Sequence, residues 1–392
     1  MARRVFFHIG APKTGTTFLQ SVMWHNREEL RRQGVLYPGR YSRQHLHASQ
    51  VVRGNRGPQW AAERGESWDR LVAELAEWPE TGLISHEFFG MASAEQAAVA
   101  LHQLAPAEVH LVLTARDYVR ALGADWQESL KMKLDLSLDT FVDSALRHEL
   151  PKPWGWNSHD VAATLQRWGR GLPSSHVHVI TVPPPGAPRD LLWRRWCEVL
   201  ELDPDAFNTD VAFENQSLGV TQAELLRRVK PHLPAPLRPG PEMHRWVRGY
   251  FAHRVLLDQK GERFSLRPHH LDLLRQASEE AVASIKASGY AVTGDLAELL
   301  PHQGGASSPH PDDITDAELL DVAASAIARM VLDVRSLTRQ RDRLRAQLGR
   351  TRRGSWLPPG SASRAADRLP TSVRRVGARA LAGLRRRRPT RK

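Results

Sequence analysis

A lysine, two glycines and three threonines stand together in "GAPKTGTT" (10–17), just after the apolar run "VFFHI" and just before an amphipathic helical pattern. A turn of this kind between a strand and a helix is an anion site by construction. The first-turn N–H groups have no intrahelical partners, and the helix dipole adds partial positive charge there. Gly15 allows close backbone approach, Thr14, Thr16 and Thr17 add hydroxyl donors, and Lys13 adds a full charge. The ATP-type loop follows the pattern G-x-x-x-x-G-K-[ST]. Gly10 and Gly15 keep that separation, but position 16 is threonine, and the lysine lies three residues after Gly10, at the loop's crown. No Walker-B-like acid closes the apolar run "VHLVLTA" (109–115), so no metal is expected at the site.

The stretch "APKTGTTFLQ" closely resembles the 5′-phosphosulfate loop of sulfotransferases that use 3′-phosphoadenosine 5′-phosphosulfate (PAPS), whose usual core is P-K-[ST]-G-T-T-[WFY]-[LV]. The match covers ten contiguous residues. The resemblance implies a P-loop-like α/β fold and PAPS as co-substrate. By position it implies that Lys13 touches the oxygen bridging sulfur and phosphorus. Thr14, Gly15, Thr16 and Thr17 would hold the 5′-phosphate, and Phe18 would lie on adenine. A phosphosulfate reacts without a metal, and a preorganised cation aimed at the bridging oxygen lowers the barrier by about 3 kcal/mol, by analogy with one oxyanion donor. The family's second landmark, R-[DN]-[PA]-x-x-x-x-x-S, holds the cofactor's 3′-phosphate. "ARDYVRALGADWQESLK" supplies Arg116 and Asp117, and an arginine's planar fork grips phosphate through two donors. Where the pattern has serine this chain has Ala124, with Arg120 and Lys131 the cations placed to compensate.

Sulfuryl transfer also requires a base for the acceptor's proton. In such a fold the C-terminal edge of a central strand points into the cleft, and "GLISHEFFG" ends its apolar run in His86 and Glu87. The resemblance favours Glu87 with His86 close behind; alternation would set them on opposite faces unless the strand has already ended. His45 and His47 in "RQHLHASQ" are read as loop histidines, since H-x-H without nearby cysteine or acidic ligands is a weak metal signature. Trp154, Trp156, Trp60 and Trp68 lie in segments able to flank an acceptor, although most tryptophans are core residues. "ENQSLG" (Asn215, Ser217) resembles an Asn-x-Ser element of bacterial members and receives no role.

The elements that must position these residues follow from pattern. Strands are expected at 4–9, 82–87, 109–115 and 177–182, and a weaker one at 34–38. Helical patterns lie between them, so residues 1–300 read as an α/β domain with a parallel sheet flanked by helices. After the first strand Phe18, Leu19, Val22, Met23 and Leu30 share one helical face, and 191–202 reads as another amphipathic helix. Residues 301–312 are linker-like in their Gly, Ser and Pro content. Over 313–350, Leu320, Ala323, Ile327, Met330, Val334, Leu337, Leu344 and Leu348 occupy heptad a and d positions, with Arg341 the misfit. That is a coiled-coil pattern, and a second copy of the chain is its simplest partner.

Net charge is +12, but thirteen of the 55 Lys and Arg and only one of the 43 acids fall in 351–392. The remaining 350 residues carry 42 charges of each sign, so the basic character belongs to a tail and no specific nucleic-acid partner is expected. The tail is read as disordered or as a short basic helix suited to an anionic membrane surface. One cysteine, Cys197, excludes an intrachain disulfide, no signal peptide is read at the N-terminus, and a cytoplasmic chain, peripheral to the membrane's inner face at most, is expected. The leading expectation is a PAPS-dependent sulfotransferase acting on a glycan, glycolipid or small-metabolite hydroxyl or amine. Two rivals stay open: an ATP-dependent small-molecule kinase, and an inactive anion-binding scaffold working through its coil and tail.

Overall fold

The computed structural model describes residues 1–55, 61–211, 217–301 and 308–354, with side chains as far as 348. Trp60, Asn215, half of the linker and the tail beyond 354 lie outside the described residues. Residues 1–326 form one compact unit and 327–392 a second.

Six strands make one parallel sheet in the order β2–β3–β1–β4–β5–β6. They are β1 (Arg4–His8), β2 (Val35–Leu36), β3 (Thr81–Ser85), β4 (Glu108–Ala115), β5 (Val177–Thr181) and β6 (Ala291–Thr293). Five lie where the apolar runs place them. The edge strand β6 has three residues, too few to show a pattern after a long helix.

Both faces of the sheet are covered, which is why the strands read as apolar runs rather than as alternating ones. On β1, Val5 and Phe7 face a core in which Phe7 meets Trp68, Phe89 and Trp168. Phe6 faces the other way, toward α1 (Thr16–His25). That second core includes Leu19, Val22 and Met23, whose three- and four-residue steps put them on one side of α1. The helix ends at Asn26, whose side-chain amide donates to the carbonyls of Val22 and Asn208. The expected single helix to Leu30 is therefore two, the second spanning Arg27–Arg32 with Leu30 still buried.

The chain runs from β1 out to β2, back to β3, and then across β1 to β4. This places a topological switch at the C-terminal ends of β1 and β4, the place where open parallel sheets bind ligands. The loop 10–15 leaves β1 there, and Arg116 and Asp117 follow β4. Asp117 begins α2 (Tyr118–Lys131) by accepting from the Arg120 N–H.

The compact unit extends past the expected boundary at 300 because 308–326 packs on the body. Ser265 donates through its hydroxyl to the Ser308 carbonyl, and Arg267 grips Asp313 through two bonds of 2.9 and 2.7 Å. Ile314, Leu319 and Ala326 are buried. The final described helix runs Asp316–Gly354. Within its second-unit portion the heptad positions face outward: Leu337 is 63 % exposed and Leu348 66 %. Among the described residues no helix is long and apolar enough to cross a membrane.

Candidate functional site

The loop is fixed from below by a chain of buried polar groups. The sheet ladder runs on past β1, the Thr114 N–H bonding the Gly10 carbonyl at 2.6 Å and the Ala11 N–H bonding the Thr114 carbonyl at 2.9 Å. The Thr114 hydroxyl lies 3.1 Å from the Gly10 carbonyl and 3.3 Å from His8 Nε2, and it shares a hydrogen bond with the Thr14 hydroxyl. His8 Nδ1 in turn meets the Ser85 hydroxyl at 2.8 Å. Thr14 also contacts the Ala11 carbonyl, so its hydroxyl, expected to serve the ligand, is buried and spent on the loop itself. Thr16 is buried as well, whereas the Thr17 side chain is exposed. No side chain caps α1, whose N-cap is Gly15. Phe18 is half-buried and packs on the core between α1 and the helix Leu191–Leu200.

Two backbone positions need their unusual torsions. Gly10 has φ 127° and lies so close to Glu87 that a Cβ would sit 2.9 Å from the Glu87 carbonyl oxygen. Lys13 is left-handed with φ 61°, which costs a side-chain-bearing residue about 1–2 kcal/mol. Arg116 Nη1 holds that turn by donating to the Lys13 carbonyl at 3.0 Å.

Cations gather around it. Lys13 Nζ is 3.5 Å from Glu128 Oε2, Lys131 Nζ is 3.7 Å from the same oxygen, and Arg248 Nε is 2.7 Å from Oε1. Burial works to raise the Glu128 carboxyl, but Lys13, Arg248 and Lys131 outweigh it and hold it down at about 2. Arg116 is different: among the described residues it has no ion-pair partner, and its Nε is buried without a hydrogen bond. Burial first and Arg120 second depress it to about 10, which leaves it cationic at neutral pH. Asp117, its neighbour, is taken by Arg120 and by the helix cap. Arg120, Ala124 and Glu128 follow one another at four-residue steps, so the position where the family pattern has serine lies on the helix face that meets Lys13. Lys131 is thus drawn into the anion site and Arg120 into the cap. Sequence reasoning missed Glu128 and Arg248. The four-residue step from Ala124 was a signal for the first; nothing local marked the second.

β3 stops at Ser85, so alternation does not separate His86 from Glu87. His86 Nδ1 accepts from the Phe88 N–H at 3.1 Å and lies 3.7 Å from Glu87 Oε2. Burial lowers its pKa, and its basic lone pair is engaged in the backbone turn. For Glu87, burial acts to raise the pKa, but His86, its own N–H, a 3.1 Å bond from Gln20 Nε2 and His8 leave it below the ordinary value. The Glu87 backbone therefore lies against the first residue of the loop, and its carboxylate is held by Gln20 Nε2 with His86 beside it.

His45 and His47 lie on a helix (Gln44–Val52), not in a loop. His45 Nε2 donates to the Pro38 carbonyl at 2.9 Å while Nδ1 accepts from the Ser85 N–H at 3.3 Å, so its ring ties the end of β3 to its surroundings. Trp68 is a core residue bonded to Gln103. Trp156 lines a cavity of about 270 Å³ with Met91, Lys152, Asp160 and Arg167, beside the turn that follows Glu87. Comparison of the chain with protein families, with curated proteins and with solved structures gives no match.

His8 and His45 are buried neutral, held by desolvation at about 4 and about 3 against an ordinary 6.5. Below pH 6.5 the unfolded chain takes up protons there that the folded chain refuses. Stability is full above about 6.5 and is lost as pH falls toward the folded values. Urea unfolding at pH 7 and pH 5 should show a drop of roughly 2 kcal/mol per histidine. His45→Gln should shrink the drop; an unchanged drop would remove His45 from this account.

Proposed function

We propose that the chain is a sulfotransferase that moves the sulfuryl group of PAPS to a hydroxyl or amine acceptor. The observation that carries this reading is Arg116, a half-buried guanidinium whose buried Nε has no hydrogen-bond partner and which has no acidic ion-pair partner among the described residues, tied to the carbonyl of the loop lysine. A buried cation left without a counter-ion is costly unless an anion completes it. Lys13, Lys131 and Arg248 extend the positive field, with Glu128 their one shared carboxylate. A nucleotide bearing a 5′-phosphosulfate and a 3′-phosphate supplies the missing charge.

In this reading the acceptor oxygen or nitrogen attacks sulfur while the bond from sulfur to the bridging oxygen breaks. The electron pair goes to that oxygen, where Lys13 Nζ meets the developing charge. The acceptor's proton goes to the Glu87 carboxylate. The products are the sulfated acceptor and adenosine 3′,5′-bisphosphate. Lys13 reaches Glu128 only at 3.5 Å and is partly exposed, a weak pair that a phosphosulfate can displace. A kinase reading fits less well: position 16 lacks the lysine, and Asp117, the acid after β4, is spent on Arg120 and on the cap. We further propose that the outward heptad face of residues 327–348 pairs with a second copy of the chain, because its a and d repeat is the pattern that another such helix fills.

Lys13→Ala should lower kcat by about 10²–10³, and Arg116→Ala should weaken nucleotide binding by about 10–100-fold, each with an unchanged circular dichroism spectrum. Adenosine 3′,5′-bisphosphate should raise the melting temperature and ATP–Mg²⁺ should not; the reverse order would favour a kinase. Glu87→Gln should cost about 10²-fold or more, whereas His86→Gln should cost much less. The rate should also be flat from neutral pH down toward the lowered pKa of Glu87. Light scattering should give the mass of a dimer, and Leu337→Glu with Leu344→Glu should give monomers that keep their activity.

A further inference from the structure

The opposite, N-terminal end of the sheet carries a second cluster that the transfer reaction does not use. Glu108 and His110 stand two residues apart on β4. His176 and His178 stand two apart where a short turn enters β5. A two-residue step keeps side chains on one face of a strand, and the strands are paired with Leu111 beside Val177 and Val112 beside His178. All four side chains therefore converge. Glu108 Oε1 lies 2.8 Å from His110 Nε2 and 3.4 Å from His176 Nε2, and His110 Nδ1 lies 2.9 Å from His178 Nε2. The His110 and His176 rings are stacked at 4.4 Å.

We infer that Glu108, His110 and His176 form a binding site for a divalent transition-metal ion, with zinc the ion their donor set favours. One donor atom from each lies within 4.8 Å of the other two, close enough for a single ion to take all three. Two imidazoles and a carboxylate are donors of the kind that zinc accepts, with water free to complete four-coordination. The second layer is in place. With the metal on His110 Nε2 the ring's proton moves to Nδ1, which then donates to His178 Nε2 across the same 2.9 Å. The cluster needs only a tautomer change in two rings, with no net release of protons. Local charge agrees: Arg4 is neutralised by a two-bond pair with Glu201, leaving the Glu108 carboxylate to meet the cation.

The test uses untagged full-length chain, stripped with chelator and then titrated with zinc or cobalt(II). About one ion per chain should bind, cobalt should give the intense visible bands of a tetrahedral site, and the melting temperature should rise. Glu108 is exposed and His176 partly so, which makes Glu108→Gln and His176→Gln safe for folding. Each should weaken binding by about 10–100-fold or more, as loss of a metal ligand or its support does. His269→Gln, in the separate group of Asp143, His269 and His270, should change nothing. Failure of the parent chain to bind zinc overturns the proposal. So does binding that survives both ligand substitutions, or binding that is lost with His269. None of these outcomes touches the sulfotransferase reading, whose residues lie at the other end of the sheet.

Discussion

The Thr114 hydroxyl and its backbone are the hinge of this molecule's chemistry. That one residue bonds the Gly10 carbonyl twice, receives the Ala11 N–H, and meets both Thr14 and His8. Each contact is buried, where a polar group left without a partner costs about 1–3 kcal/mol. The loop therefore has one low-energy path over the end of β4, and that path sets the left-handed turn at Lys13. Gly10 completes the constraint by letting Glu87 approach to a distance that no side chain would allow. The turn at Lys13, the Arg116 side chain that bonds its carbonyl and the Glu87 backbone against Gly10 are thus fixed by one loop path.

Charge is arranged on top of that frame with the opposite logic. Underneath, Thr14, Thr114, His8 and Ser85 partner one another; above, cations outnumber acids. Glu128 serves three cations and is held at about 2 for that reason, so it stays ionised and keeps Lys13, Lys131 and Arg248 from repelling one another. Arg116 has no carboxylate in ion-pair contact among the described residues, and burial first, with Arg120 beside it, depresses it to about 10. The fall from its ordinary 12.5 to about 10 corresponds to about 3 kcal/mol, which an anion beside it would offset.

The strands and the loop were legible because their signals are local. Apolar runs of five to eight residues mark a strand covered on both sides, and Gly10, Lys13 and Gly15 mark the turn between strand and helix. The features that escaped depend on neighbours distant in sequence. The Thr14 hydroxyl points inward because Thr114 is there to receive it, a hundred residues on. Arg248 enters the site from a helical segment more than a hundred residues past Glu128. The end of β3 at Ser85, which decides where His86 and Glu87 point, is a matter of where pairing stops, and strand ends are what periodicity reads worst. The glutamate and histidines of β4 and β5 were readable in principle as E-x-H and H-x-H, but only register brings them together.

Register also joins the two ends of β4. Glu108, His110, Val112 and Thr114 alternate onto one face, so the residues that meet the β5 histidines at the N-terminal end and the residue that holds the loop at the C-terminal end share a single setting of the strand. A slip of one residue would turn His110 away from His178, and the same slip would turn Thr114 away from Gly10. The 2.9 Å contact between His110 and His178 belongs to the β4–β5 register, and the Thr114–Gly10 bonds belong to the β1–β4 register. What the two ends share is the alternation of β4 itself, which sends His110 and Thr114 to the same face of the strand.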